Sequence, residues 1–300
     1  MTDDATVNAS AVNPGAFPAG NVLITVPHMD DAVLACGGTI LKIPDKQRLH
    51  LVYCTDGRGI LGNPKRVARM VSGETRIGEV RQAETRRALS TLGVCLDNVH
   101  FLTFPERKVP AVTRQLRDAL AALIEELQPT TVLTPFRYDR HPDHVALSRV
   151  VEGLAGSARV PFRMLQYFVY YQWKLLPAGD IRAYVRPAHL LRSDITDVRV
   201  KKREALDCFV SQTTCFYPWQ HKPVLNDALL TLFANGPELF LAAQAGYADR
   251  DVLRIAPLLV RAVHAIEPRL KNLKEHTIAY LHKLRRPRGR MRIDSGVSGQ

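Results

Sequence analysis

The sequence predicts an α/β fold: a mostly parallel sheet flanked by helices, with a helical C-terminal extension. Three observations carry that expectation. In the first half, short apolar runs of strand length alternate with stretches of helical period. Two of those runs end in clusters of histidine and aspartate, "PHMDD" and "HPDH". After about Ala245 the pattern changes to a basic stretch with heptad-like spacing.

Length and composition bound the answer. Three hundred residues can bury a sizeable core, and 46% hydrophobic with 23% charged residues is ordinary for a globular protein. No apolar run approaches the ~20 residues of a membrane span. The opening "MTDDATVNASAVNPGAFPAG" has acids where a signal peptide needs cations, and no apolar core. Residues 1–20 therefore read as a flexible leader, and the expected location is cytoplasmic. Five cysteines, an odd number with no CxxC pair, signal neither a disulfide framework nor a cysteine metal site. The net charge of +12 is concentrated: residues 261–292 hold ten Lys/Arg against Glu267 and Glu275, leaving +4 for the rest.

Element by element, "NVLITV" reads as a buried strand and residues 30–41 as the helix after it. "RLHLVYCT" is the next strand, followed by a turn-rich loop from "DGRGILGN" to about Ser72, of the length expected of a binding loop or lid. Residues 74–92 are helical, ended by Gly93. "NVHFL" is the third strand, Thr113–Leu127 a helix stopped before Pro129, and "TTVLTPF" the fourth strand. "MLQYFVYYQW" and "AHLLRSDI" read as further strands, residues 198–209 as a helix, and "SQTTCFYPWQHKPVLND" as an aromatic, polar loop. The main domain is thus 21–245, and 246–300 is a basic helical extension. There Leu259, Val263, Ile266, Leu270 and Leu273 keep a 4-3-4-3 spacing. Pro268 argues against one long straight helix. The extension reads either as a helical pair folded back on the main domain or as a homo-oligomer seam. The tail "LRRPRGRMR" has too little aromatic interleaving for nucleic-acid binding.

The chemistry sits in the two clusters. His28 and Asp31 are three apart at a strand-to-helix turn, with Asp30 between them. His141 and His144 are again three apart, with Pro142 suited to the first helical position. Both clusters follow strands, at the carboxyl edge where open α/β sheets hold ligands. Each alone has a bland explanation: an acidic helix cap, or a surface loop. Together they supply His, Asp and His for a zinc ion with one position open to water, and a neighbouring carboxylate to take a proton. A dinucleotide site ranks last among the readings, because "CGGT" lies inside the predicted helix and not in a GxGxxG turn.

"PHMDDAVLACGGTI" resembles the (A/P)HPDDE-x-x-GxGG signature of the LmbE/PIG-L family of zinc-dependent N-acetyl-sugar deacetylases, and "HPDH" resembles its second motif. "TDG" at 55–57, "VRQAETRRALSTLGV" with Arg81 and Glu84, and "VKKREALDCFVSQ" are similar too. The resemblance implies a Rossmann-like fold over about residues 21–245. It implies Zn2+ held by His28, Asp31 and His144, with Asp30 as general base, His141 as oxyanion stabiliser and Asp143 orienting His141. The implied substrate is a small N-acetylated sugar or glycoconjugate. Met29 stands where the family has proline, and Ala32 where it has glutamate. The glutamate's absence motivates a rival reading, a non-catalytic sugar-binding homologue. A zinc amidase for a different N-acyl conjugate is the other alternative.

Overall fold

The computed structural model describes residues 10–11, 20–59, 71–157, 159–216, 220, 222–242, 244 and 246–284. The segment 60–70, most of the expected binding loop, lies outside them, as does the tail from 285. In chain order the strands are β1 (Ser10–Ala11), β2 (Asn21–Val26), β3 (Leu49–Thr55), β4 (Val99–Phe104), β5 (Pro129–Pro135), β6 (Arg163–Tyr167), β7 (Leu190–Ser193) and β8 (Glu238–Ala242). The helices are α1 (Asp31–Lys42), α2 (Val71–Thr91), α3 (Thr113–Leu127), α4 (Pro142–Ala155), α5 (Arg199–Asp207), α6 (Val210–Thr213), α7 (Asp227–Asn235), α8 (Asp249–Val252) and α9 (Pro257–Leu284).

The strands form one sheet in the order β1-β7-β8-β6-β5-β2-β3-β4. The five from β6 to β4 are parallel, while β8 runs antiparallel to both β6 and β7. The expected mostly parallel sheet is therefore present. Its strands are continuous apolar runs because both faces are covered. Along β2, Val22, Ile24 and Val26 join one apolar cluster with α1 and α5, and Leu23 joins the other with α3 and α4. In α3 the second cluster takes Leu116, Leu120 and Ile124 at helical spacing. Each such burial is worth roughly 1.5–3 kcal/mol.

Three differences from the sequence reading have local causes. The strand predicted through "MLQYFVYYQW" stops at Tyr167, because the Asp139 carboxylate accepts the next two useful donors, Val169 N–H (3.3 Å) and Tyr170 N–H (2.7 Å). The predicted loop before residue 227 opens with α6, and α7 and β8 follow it as elements without a predicted counterpart. Asn226 caps α7 by accepting from Leu229 N–H. Finally, α9 is one helix that contains Pro268, not a helical pair. Proline removes one backbone hydrogen bond there. The preceding turns are anchored: Val260 and Val263 are buried with Phe136, Phe168 and Trp173, and Glu267 pairs with Arg140 at 2.7 Å. Of the spaced apolar residues, Val263 faces the body, and Leu259, Ile266, Leu270 and Leu273 lie on the exposed side. Among the described residues no helix is long and apolar enough to cross a membrane.

Candidate metal centre and active site

The site lies at a place where the sheet reverses direction of growth. From β2 the chain moves outward through β3 to β4, then returns so that β5 pairs with β2 on its other side. The loops after β2 and β5 leave this switch point in opposite directions and open a crevice between them. His28, Asp30 and Asp31 follow β2; His141, Asp143 and His144 follow β5. The carboxyl edge of the sheet therefore brings residues about 115 positions apart into contact.

The bland reading of the aspartate pair fails on geometry. Asp30 occupies the N-cap position of α1, yet its side chain makes no cap hydrogen bond. Asp31 reaches back instead, its Oδ2 accepting from His28 N–H at 2.9 Å. His141, by contrast, does cap α4: its Nδ1 accepts from Asp143 N–H at 3.2 Å.

Three donor atoms converge. His28 Nδ1 and His144 Nε2 are 3.0 Å apart, and each lies 3.1 Å from Asp31 Oδ2. The outer nitrogens of both rings face carboxylates: His28 Nε2 meets Asp143 at 3.2 Å, and His144 Nδ1 meets Asp139 at 3.0 Å. A carboxylate accepts, so each outer nitrogen holds a proton, and each inner nitrogen faces the other and Asp31. Two imidazole nitrogens and a carboxylate oxygen at that spacing call for positive charge between them, which a metal ion or protons on the inner nitrogens supply. Tetrahedral ligands at zinc-like bond lengths would stand about 3.3 Å apart, close to what is seen. Carboxylates behind both histidines are also the usual support of metal-bound imidazoles.

Electrostatics lean the same way. Burial opposes charge on His144, but Asp31 and Asp139 outweigh it and push the ring up to about 9. His28 is also raised, burial again being overcome, here by Asp31 and Asp143. Asp31 is driven far below the carboxylate range: burial would raise it, and His144 and His28 more than reverse that. The protein alone thus draws positive charge to this point.

His28, His141 and His144 also form a group in which one ring nitrogen from each lies within 4.8 Å of the others. We favour Asp31 over His141 as the third donor, because Asp31 sits at 3.1 Å from both other nitrogens and His141 Nδ1 is engaged by Asp143 N–H. With Nδ1 accepting, neutral His141 carries its proton on Nε2. Burial, then His28 and His144, depress its basicity strongly, so the neutral form prevails. Asp30 goes the other way from its neighbour. Burial raises it, and Arg81, 3.4 Å away, only partly opposes this.

Asp143 does not orient His141 with its carboxylate. That group is 3.9 Å from His141 Nδ1 and is spent on His28 Nε2, Arg107 N–H (2.6 Å) and Val109 N–H (3.1 Å). Three further residues belong to the site and were not predicted for it. Asp139 holds His144, Arg81 bridges Asp30 and Glu106 (2.9 Å), and Tyr170 packs on both His141 and His144. Arg81 carried a signal, its place in a motif; Asp139 carried only its nearness to "HPDH"; Tyr170 carried none.

Comparison with known proteins agrees with this geometry. Residues 23–155 match the family model described as PIG-L, GlcNAc-PI de-N-acetylase. This segment is a PIG-L/LmbE domain. It runs from β2 to α4 and so includes both clusters. Over 194 residues the chain is 27% identical to a probable N-acetyl-alpha-D-glucosaminyl L-malate deacetylase 2 of Bacillus anthracis, covering 64% of this chain and 81% of that protein. Over 129 residues it is 33% identical to the diacetylchitobiose deacetylase of Thermococcus kodakarensis, covering 41% of this chain and 44% of that protein. The solved N,N'-diacetylchitobiose deacetylase of Pyrococcus horikoshii shares the fold, with a TM-score of 0.53 at 21% identity over 80% of this chain and 90% of that one.

Within the PIG-L/LmbE domain, the two departures from the signature are both fully buried. Met29 and Ala32 belong to the apolar cluster that holds Tyr53 and Ala88. Met29 packs against Gly57, where a Cβ would come within 3.1 Å of Met29 Cγ and the backbone φ of +70° suits glycine. Ala32 therefore replaces a charged group with apolar contact and leaves the three converging donors in place. Glu84 of the motif "VRQAETRRALSTLGV" joins another motif segment, accepting from Ser211 N–H (2.8 Å) and Ser211 Oγ (2.6 Å).

Proposed function

We propose that the protein is a zinc-dependent hydrolase that removes an N-acetyl group from an amino sugar or glycoconjugate. The observation that carries this is the convergence of His28 Nδ1, His144 Nε2 and Asp31 Oδ2 within 3.1 Å, with an unligated carboxylate, Asp30, on the adjacent residue. The family match of residues 23–155 and the deacetylase relatives support the same reading.

His28, Asp31 and His144 would hold the zinc, which when bound would supply Lewis acidity. The chain's own groups do the rest. Asp30, buried and raised in pKa, takes the proton of the attacking water, and Arg81 keeps its carboxylate in place. His141 offers Nε2–H to the developing oxyanion, its tautomer set by Asp143 N–H. The proton stored on Asp30 is then available to the departing amine. Asp143 steadies His28, and Asp139 steadies His144.

The test is acetate release from N-acetylglucosamine-containing substrates by zinc-loaded protein, with Asp30→Asn as control. Activity that disappears on chelation, returns with zinc and is lost in Asp30→Asn is expected. Stoichiometric zinc with no turnover on a broad acyl-sugar panel would favour a non-catalytic sugar-binding role, and full activity in Asp30→Asn would remove the assigned base.

A further inference from the structure

We infer that Asp139 is a positioning residue that locks the metal ligand His144 and the substrate-facing Tyr170 into one rigid unit, with Tyr170 as the platform for the sugar ring. This deepens the reading of the site as a zinc deacetylase and rests on it.

Asp139 is buried, and its two oxygens are fully engaged. Oδ2 meets His144 Nδ1 at 3.0 Å and accepts from Val169 N–H at 3.3 Å. Oδ1 accepts from Arg140 N–H at 3.0 Å and Tyr170 N–H at 2.7 Å. No oxygen is left to take a proton from substrate or water, so Asp139 acts through what it holds. It holds two things of different kinds: a ring that faces the metal position, and the backbone that carries an aromatic side chain beside it.

Tyr170 is exceptional in its own segment. Tyr167, Phe168 and Tyr171 are all buried, whereas Tyr170 is 42% exposed. Its ring lies nearly parallel to His141 (centroids 6.1 Å apart, planes at 23°) and edge-on to His144 (5.2 Å, 61°). Packed on two site histidines yet open to solvent, the ring is a flat apolar surface with a polar tip next to the reacting centre. The face of a pyranose presents C–H groups with hydroxyls at its rim, which matches that surface. A single carboxylate then sets the distance between the platform and the metal position, to the tolerance that such sites require.

An amide at 139 has one acceptor oxygen where the carboxylate has two. If it keeps Arg140 and Tyr170, its NH2 confronts the protons of His144 and Val169; if turned over, it confronts those of Arg140 and Tyr170. Three measurements on purified full-length protein test the inference: zinc affinity by chelator competition, N-acetylglucosamine binding to the zinc-loaded form by calorimetry, and the thermal midpoint. Asp139→Asn is expected to weaken zinc about 10- to 100-fold and to weaken the sugar as well. Tyr170→Ala is expected to keep wild-type zinc affinity and lose about three- to tenfold in sugar affinity. Tyr170→Phe should keep both. A lowered midpoint in Asp139→Asn with unchanged zinc and sugar affinity would reduce Asp139 to a structural residue and overturn the inference. Zinc-loaded wild type that does not bind N-acetylglucosamine, or Tyr170→Ala that binds it normally, overturns the platform. Wild type that binds no zinc sinks the metal reading itself, a result distinguishable from all of these.

Discussion

Asp30 and Asp31 are neighbours in sequence with opposite electrostatic fates. Two histidines hold Asp31 ionised, while burial with only Arg81 opposing raises Asp30. The proposed division into base and ligand predicts different failures. Asp30→Asn should lower kcat by about 10²- to 10⁴-fold with zinc content unchanged, whereas Asp31→Asn should lose zinc; metal analysis beside steady-state kinetics reads both. Ala32 supplies a second residue-scale prediction. Its site is fully buried and apolar. Restoring the family's glutamate would overpack it and bury a carboxylate there, so Ala32→Glu should destabilise by more than about 3 kcal/mol in denaturant titration. A stable Ala32→Glu with tighter zinc would instead mean that the position still accommodates the glutamate's supporting role. At this scale the sequence was informative about donor types and their three-residue spacing, because a strand-to-helix turn is local. It was silent on which partner each carboxylate serves. Asp143 backs His28, 115 positions away, through the packing of β2 against β5.

Among the elements, α1 shows why its glycine pair is there. A Cβ on Gly38 would run into Ile195 Cγ2, and Gly37 lies against the side chain of Lys202. The backbone N–H groups of Gly38 and Thr39 donate to Glu238 at 2.7 Å each, and Lys202 pairs with the same carboxylate at 2.7 Å. "CGGT" is thus a close-approach surface where α1 meets α5 and the start of β8. Alanine is ordinarily better than glycine in a helix by about 1 kcal/mol. Ile195 is buried and both its Cγ2 and its Cβ stand in the way, so the clash should win. Gly38→Ala is expected to cost roughly 1–3 kcal/mol, read as a lower thermal midpoint; a stabilised variant would refute the close-approach account. Most elements were legible as apolar runs and helical periods. The strand through "FVYYQW" was misjudged, because its β-prone composition is overruled by one distant carboxylate, Asp139.

For the whole molecule, the question is how the C-terminal helix is tied to the body. Asp249 is the knot. It accepts from Tyr138 Oη (2.6 Å), Arg137 Nη1 (3.2 Å) and Arg261 Nη2 (2.6 Å), joining α8, α9 and the loop after β5 that leads into "HPDH". Burial alone would raise its pKa, but these hydrogen bonds outweigh it and the net shift is downward. A carboxylate whose folded pKa lies below its ordinary 3.8 stabilises fully above that value. The contribution is lost as pH falls through the lower folded value. Asp249→Asn should therefore be less stable than wild type at neutral pH, with the difference shrinking below about pH 3.8. Denaturant midpoints at several pH values check this, and a pH-independent difference would contradict it.

The sequence by itself determined the α/β class, the two histidine–aspartate clusters at strand ends and the PIG-L/LmbE resemblance. Each is written in short-range pattern: period, spacing and residue type. Tertiary structure alone decided that β5 returns beside β2, which turns two separate clusters into one triangle of donors. It also brought Arg81 to Asp30 and Asp139 to Tyr170, and carried α9 intact through Pro268. The reason is physical. A residue's periodicity reports which face of its own element is buried, but the partner across that face depends on strand order, and strand order is settled by the packing of the whole sheet.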